Sequence, residues 1–219
     1  HNPTGSVFTL EELQTIAGIA IKHNLLVISD EVYEHLIFDN KTHIPIATLP
    51  GMFERTITIS SGGKSFNTTG WKIGWACAPA PLINATRMAK QLFTFAGGSP
   101  FQPAIAAGLR LPDSYFVALA ADLQRKRDVL MLALDECGLR PITPEGTYFI
   151  TADVRGRRPD GDGVAFCREL PGQAGIVAIP AAVLYDPRNE SEGRHLVRFA
   201  FCKELSTISR ASDQLRAWA

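Results

Sequence analysis

Cysteine is scarce: the 219 residues hold four, at Cys77, Cys137, Cys167 and Cys202. They form no CxxC pair and stand apart from the histidines, so neither a zinc site nor a disulfide framework is indicated. Such thiol usage favours a reducing, cytoplasmic setting. The five histidines show no HExxH spacing, and no metal is expected. Neither sign of charge is in excess. Lys+Arg and Asp+Glu both number 22, which removes the electrostatic footprint of a nucleic-acid or anionic-membrane partner. Long apolar runs are missing too: no stretch reaches the ~18 residues of a membrane-spanning helix. Internal repeats and low-complexity tracts are absent. So are an initiating Met and a signal peptide. The chain opens at His1-Asn2-Pro3-Thr4-Gly5, inside a turn motif, as though a preceding part had been removed.

What is present is an alternation of helical and strand patterns. Thr9-Leu10-Glu11-Glu12 is a capping box, followed by Leu10, Leu13, Ile16, Ala17, Ala20 and Ile21 at helical spacing, with Asn24 as a stop. Leu25–Ser29 and Thr56–Ser60 read as short, continuously apolar strands of a parallel sheet buried on both faces. A third strand is expected over Lys72–Ala78, and helices over Pro81–Phe95 and Gln102–Leu109. Pro112-Asp113-Ser114 breaks the pattern. A long helix over Tyr115–Cys137 follows, closed by Gly138. Strand-like pieces (Tyr148–Ala152, Gly175–Ile179, His195–Phe201) then alternate with helix-like ones (Gly163–Leu170, Ser206–Trp218). The expectation is an α/β chain with a doubly wound piece over 1–112 and a smaller α/β domain over 113–219.

Polar residues gather where this reading places the carboxyl ends of strands, which is where open parallel sheets bind ligands. Lys64 follows a strand and two glycines, in Ser61-Gly62-Gly63-Lys64. Alone it reads either as a solvated turn lysine or as an amine able to form a Schiff base. Asp30 is either a helix N-cap or a carboxylate gripping a cation, a metal or a protonated ring nitrogen. Tyr33, three residues on, would share its face on a helical turn, or simply pack. Ser61 and Lys72 flank Lys64 and suit a phosphate; otherwise they are a turn serine and a strand-edge lysine. Asn2 is a turn former or a donor to a ligand. Arg198, inside the apolar strand Val197–Phe201, must be paired with a structural Asp or Glu or must face a ligand carboxylate.

The order Asn2-Pro3-Thr4-Gly5, Asp30-Glu31-Val32-Tyr33, Ser61-Gly62-Gly63-Lys64-Ser65-Phe66, Thr69-Gly70-Trp71-Lys72-Ile73-Gly74-Trp75 and Val197-Arg198-Phe199 resembles the class I/II aminotransferases, pyridoxal-phosphate enzymes of fold type I. The phrases around Gly70–Trp75 and Gly146–Phe149 resemble the branch holding kynurenine and methionine aminotransferases, cysteine-conjugate β-lyases and actinobacterial N-succinyldiaminopimelate aminotransferases. The resemblance implies a partial large domain with a mostly parallel sheet plus a small C-terminal α/β domain. It implies that Lys64 is the Schiff-base lysine and moves the proton between the substrate Cα and the cofactor's C4′. Asp30 would pair with the pyridine nitrogen, and Tyr33 and Asn2 would bond the ring's phenolic oxygen. Ser61 would bind the phosphate together with Lys72, which stands where many relatives carry Arg. Arg198 would clamp the substrate's α-carboxylate.

Family members are longer, so the chain reads as their C-terminal portion, without the N-terminal phosphate loop and ring-stacking aromatic. The expected activity is transfer of an amino group from an L-amino acid to a 2-oxo acid such as 2-oxoglutarate, in a homodimer with the Phe95–Gln102 loop near its interface. C–S β-elimination and a non-catalytic truncated module are the alternatives. The amino donor is not legible in these residues.

Overall fold

A computed structural model describes residues 1–219. By contacts the chain divides into two compact units, Val7–Leu119 and His1–Ser6 with Ala120–Ala219. They are named here for Lys64 and Arg198. The break foreseen at 112/113 marks the start of a helix; the units divide within that helix, and the first six residues belong with the arginine-bearing unit. No single helix is long and apolar enough to cross a membrane.

The lysine-bearing unit begins with α1 (Leu10–Lys22), and both halves of its capping box form. Thr9 Oγ1 accepts from the Glu12 N–H (3.3 Å), and Glu12 Oε2 accepts from the Thr9 N–H (2.8 Å). The helix stops in a Schellman motif: Asn24 turns left-handed (φ 49°), its N–H donates to Ile21 O, and the Leu25 N–H donates to Ala20 O. Of the expected apolar stripe, only Leu13, Ala17 and Ala20 are buried, against Ile46 and Met52; Leu10, Ile16 and Ile21 are exposed. That small cluster covers one ridge of the helix and no more.

Strand β1 (Val27–Asp30) pairs in parallel with β2 (Thr56–Ser61), and β3 (Gly74–Cys77) runs antiparallel to β2. The expected parallel neighbours thus hold for one pair only. The link from β2 to β3 is a one-turn helix, α2 (Gly62–Ser65), and a 3₁₀ turn over Thr69–Trp71. These short turns fold the link back, and β3 returns along β2 in the opposite direction. The third strand accordingly starts at Gly74 rather than Lys72. Nor is β1 buried on both faces. Val27 packs on the α1 cluster, while Ile28, on the opposite face, is 70% exposed. Helices α3 (Ala80–Phe93) and α4 (Gln102–Gly108) follow. Helix α5 (Asp113–Glu136) starts two residues earlier than its apolar pattern suggests.

The arginine-bearing unit is built on a four-stranded antiparallel sheet in the order β4-β5-β7-β6. Its strands are β4 (Arg140–Ile142), β5 (Phe149–Asp153), β6 (Ile179–Pro180) and β7 (Leu196–Ala200). Helices α6 (Gly163–Ala174), the one-turn α7 (Glu190–Gly193) and α8 (Leu205–Trp218) complete it. Ile150, Ala152, Val197 and Phe199 are buried, as are Leu134 of α5, Leu170 of α6 and Leu215 of α8. The strand expected over Gly175–Ile179 shrinks to Ile179–Pro180, because Gly175 is spent as the left-handed cap of α6 (φ 68°). Helix α6 also runs on through Pro171 to Ala174, beyond the Leu170 stop foreseen. The opening segment is fastened by backbone bonds. The Glu145 and Gly146 N–H groups donate to Gly5 O (2.9 and 3.0 Å), and Thr151 Oγ1 donates to Pro3 O (3.2 Å). Gly5 has φ 74°, and a Cβ there would lie 2.3 Å from Pro144 Cβ, so glycine is required twice over.

Candidate active site

In the lysine-bearing unit, Asp30 is the last residue of β1, and its Oδ1 accepts from the Val32 N–H (3.2 Å). It caps a turn rather than a helix, so Asp30 and Tyr33 share a turn and not a helix face. The turn is fixed from both ends. Glu31, only 5% exposed, accepts from Ser29 Oγ (2.9 Å) and meets His43 Nε2 (2.8 Å). Glu34 Oε1 accepts from Ser60 Oγ (2.6 Å) on β2.

Lys64 sits on α2, at the carboxyl end of β2, where the sequence places it. Its Nζ lies 5.8 Å from the centroid of the Tyr33 ring. The helix is one turn long, yet three of its carbonyls gain side-chain donors: Thr68 and Thr69 hydroxyls donate to Gly62 O and Gly63 O (3.0 Å each), and Tyr115 Oη donates to Ser65 O (3.1 Å). Gly62 lies so close to Ile105 that a Cβ would come within 2.5 Å of its Cδ1. Ser61 is the residue before the helix, and its side chain makes no cap bond. Lys72 is exposed and left-handed (φ 57°), in the loop before β3 rather than on a strand edge.

In the arginine-bearing unit, Arg198 Nη1 donates to Asn2 Oδ1 (2.7 Å), and its guanidinium carbon lies 4.0 Å from the centroid of the Phe149 ring. The partner of this strand arginine is therefore an amide and an aromatic face, not a structural Asp or Glu. Burial pushes the Cys167 thiol up to about 11 and raises that of Cys137.

An amine beside a phenol ring, a carboxylate at a strand end and a hydroxyl before a Gly-Gly turn form one set. An arginine supported by an amide forms another. Residues 1–203 match the family model for aminotransferase class I and II. The chain belongs to the class I and II aminotransferases. Over its whole length it is 48% identical to the probable N-succinyldiaminopimelate aminotransferase DapC of Mycobacterium tuberculosis, covering 56% of that protein. It is 41% identical to kynurenine–oxoglutarate transaminase 3 of Mus musculus, covering 51% of it. Among solved structures, the N-succinyldiaminopimelate aminotransferase of M. tuberculosis superposes with a TM-score of 0.94 at 49% identity, over 100% of this chain and 56% of that one. YbdL of Escherichia coli, described as a methionine aminotransferase, gives 0.90 at 36% identity, over 99% and 56%. The aminotransferase chain thus spans about half the length of the curated relatives it matches.

Its sequence did not disclose the Glu31–His43 pair, the Glu34–Ser60 bond, or Phe149 under Arg198. No motif or spacing in the sequence marks Glu31, Glu34 and His43 as partners. The one signal for Phe149 is its parity with Thr151 and its place on a strand beside an arginine-bearing strand.

Proposed function

We propose that the intact protein is a pyridoxal-phosphate-dependent aminotransferase moving an amino group from an L-amino acid to a 2-oxo acid such as 2-oxoglutarate, as a cytoplasmic homodimer. The placement of Lys64 Nζ beside the Tyr33 ring, on a turn pinned by Thr68, Thr69 and Tyr115, carries this reading. Class I and II aminotransferases depend on pyridoxal phosphate, and the residues fit that group chemically. Lys64 offers the amine, Asp30 a counter-charge for a ring nitrogen, Tyr33 a phenol, and Ser61 and Lys72 a hydroxyl and a cation for a phosphate. At Gly63 a Cβ would lie 3.1 Å from Thr69 Cα and 3.4 Å from Ser61 Oγ, so glycine lets the Thr69 backbone pack close against the turn that carries Lys64.

When bound, the cofactor supplies an electron sink for the bonds at the substrate's Cα. The rest falls to this chain's residues. The Asp30 carboxylate would keep a proton on the ring nitrogen. The Lys64 amine would take the proton from Cα as a base and deliver it to the cofactor's C4′ as an acid. Asn2, whose Oδ1 accepts from Arg198, would use an amide N–H to bond the ring's phenolic oxygen. Arg198 would hold the α-carboxylate.

The 48% identity to an N-succinyldiaminopimelate aminotransferase puts that donor first in a panel with kynurenine and methionine. The test is borohydride reduction of the intact, cofactor-loaded protein followed by peptide mass analysis. A pyridoxyl group on Lys64 is expected, and Lys64→Ala should cut transamination by at least about 100-fold. An unlabelled Lys64, or an active Lys64→Ala variant, overturns the mechanism. Release of pyruvate and ammonia from a cysteine conjugate, with no need for a 2-oxo acid, would move the reaction to β-elimination.

A further inference from the structure

The face of the antiparallel sheet that carries Arg198 is set by register. Thr151 lies opposite Arg198 across the β5–β7 pair. Phe149, two residues earlier on β5, is on the same face and diagonal to Arg198, a spacing that long and aromatic side chains bridge. The bridge is made: the guanidinium carbon lies 4.0 Å from the Phe149 ring centroid. A planar cation stacked on a ring uses its face for the ring and keeps its edge for hydrogen bonds. One part of that edge donates from Nη1 to Asn2 Oδ1, while Thr151 holds the Pro3 carbonyl next to Asn2. The ring and the amide therefore restrain the guanidinium in two different directions.

Phe149 is itself held by an unusual backbone. Thr147 is fully buried and left-handed (φ 71°), a conformation that costs a β-branched residue energy. Its Oγ1 accepts from the Phe149 N–H (3.2 Å), and the Tyr148 ring meets the Phe149 ring edge-on at 4.6 Å.

We propose that Phe149 is a positioning residue for carboxylate recognition: it stacks on Arg198 and fixes the plane in which the guanidinium meets the substrate's α-carboxylate, and Thr147 holds it there. The proposal rests on the reading of Arg198 as the carboxylate anchor.

The test uses the intact, cofactor-loaded protein and the best donor among N-succinyl-L,L-diaminopimelate, L-kynurenine and L-methionine. Two control ligands accompany it: the same amine without its α-carboxylate, and the same acid without its amine. Phe149→Leu should raise the KM for the donor and the calorimetric Kd of the deaminated acid by about 10-fold. It should leave kcat and turnover of the decarboxylated amine within about 2-fold, and Phe149→Tyr, which keeps the ring, should restore both constants. Equal loss with donor and decarboxylated amine, or failure of Phe149→Tyr to restore binding, overturns the positioning role. If Phe149→Leu binds the acid normally while Arg198→Lys binds it weakly, Phe149 falls and the anchor stands. If Arg198→Lys also binds it normally, or no donor is turned over by the unmodified protein, the underlying reading falls with it.

Discussion

The two units differ in how they cover their sheets. In the arginine-bearing unit, Ile150, Thr151, Ala152, Asp153 and Val154 are buried in succession, so the strand end and the turn after it are covered whichever way a side chain points. In the lysine-bearing unit only one face of β1 is covered: Val27 packs inward and Ile28 is exposed. Helix α3 has no buried residue at all, and Leu92 and Phe93 are 88% and 86% exposed. One unit is closed by its own side chains. The other fixes its reactive turn by local hydrogen bonds and by the close contact of Gly62 with Ile105. Stability and chemistry are thus drawn from different interactions in the two regions.

Substitutions can break that comparison. The largest stability loss should come from Leu134→Ala, which empties a fully buried position on α5 and is expected to cost about 2–5 kcal/mol in urea unfolding. Thr9→Ala removes one arm of the capping box and should cost about 1 kcal/mol by the same measurement. Asp153 should have a smaller, pH-dependent effect. Burial pushes its carboxyl up, but hydrogen bonds and charge from Arg155 outweigh it and hold the carboxyl below the usual carboxylate range. A depressed native value means the contribution is whole above about pH 4 and is lost as pH falls through the native value. The stability gap between the unmodified protein and Asp153→Asn should therefore shrink in melts run from about pH 6 to about pH 3. Ile28→Ala should be nearly silent, within about 0.5 kcal/mol. A cost like that of Leu134→Ala would show that this face is covered in solution and would erase the contrast between the units.

Local signals in the sequence carried a good part of this. The capping box of α1 and the apolar runs of β2 and β7 formed close to where their residues predict, because each is decided by near neighbours. Strand β4 was not legible: it is three residues long, contains Pro141 and depends on pairing with β5. The direction of β3 was hidden for a related reason, since it depends on pairing with β2 and not on the strand's own residues. At the site, Lys64 and Asp30 could be found as chemistry-bearing residues beside strand ends, and Arg198 as a cation inside an apolar strand. Their supports could not. Ser60 reaches Glu34 across 26 residues, and Phe149 finds Arg198 only through register.

The bond between Asn2 and Arg198 joins residues 196 positions apart. Loop closure grows costlier only slowly with length, about 0.6 kcal/mol per doubling, so the penalty at equilibrium is modest. In time it is another matter. The opening segment leaves the ribosome before every partner it has in its own unit, and β7 is among the last strands made. The arginine side chain gains its amide support only once nearly all of this sequence has been synthesised, as expected of a contact of such high contact order.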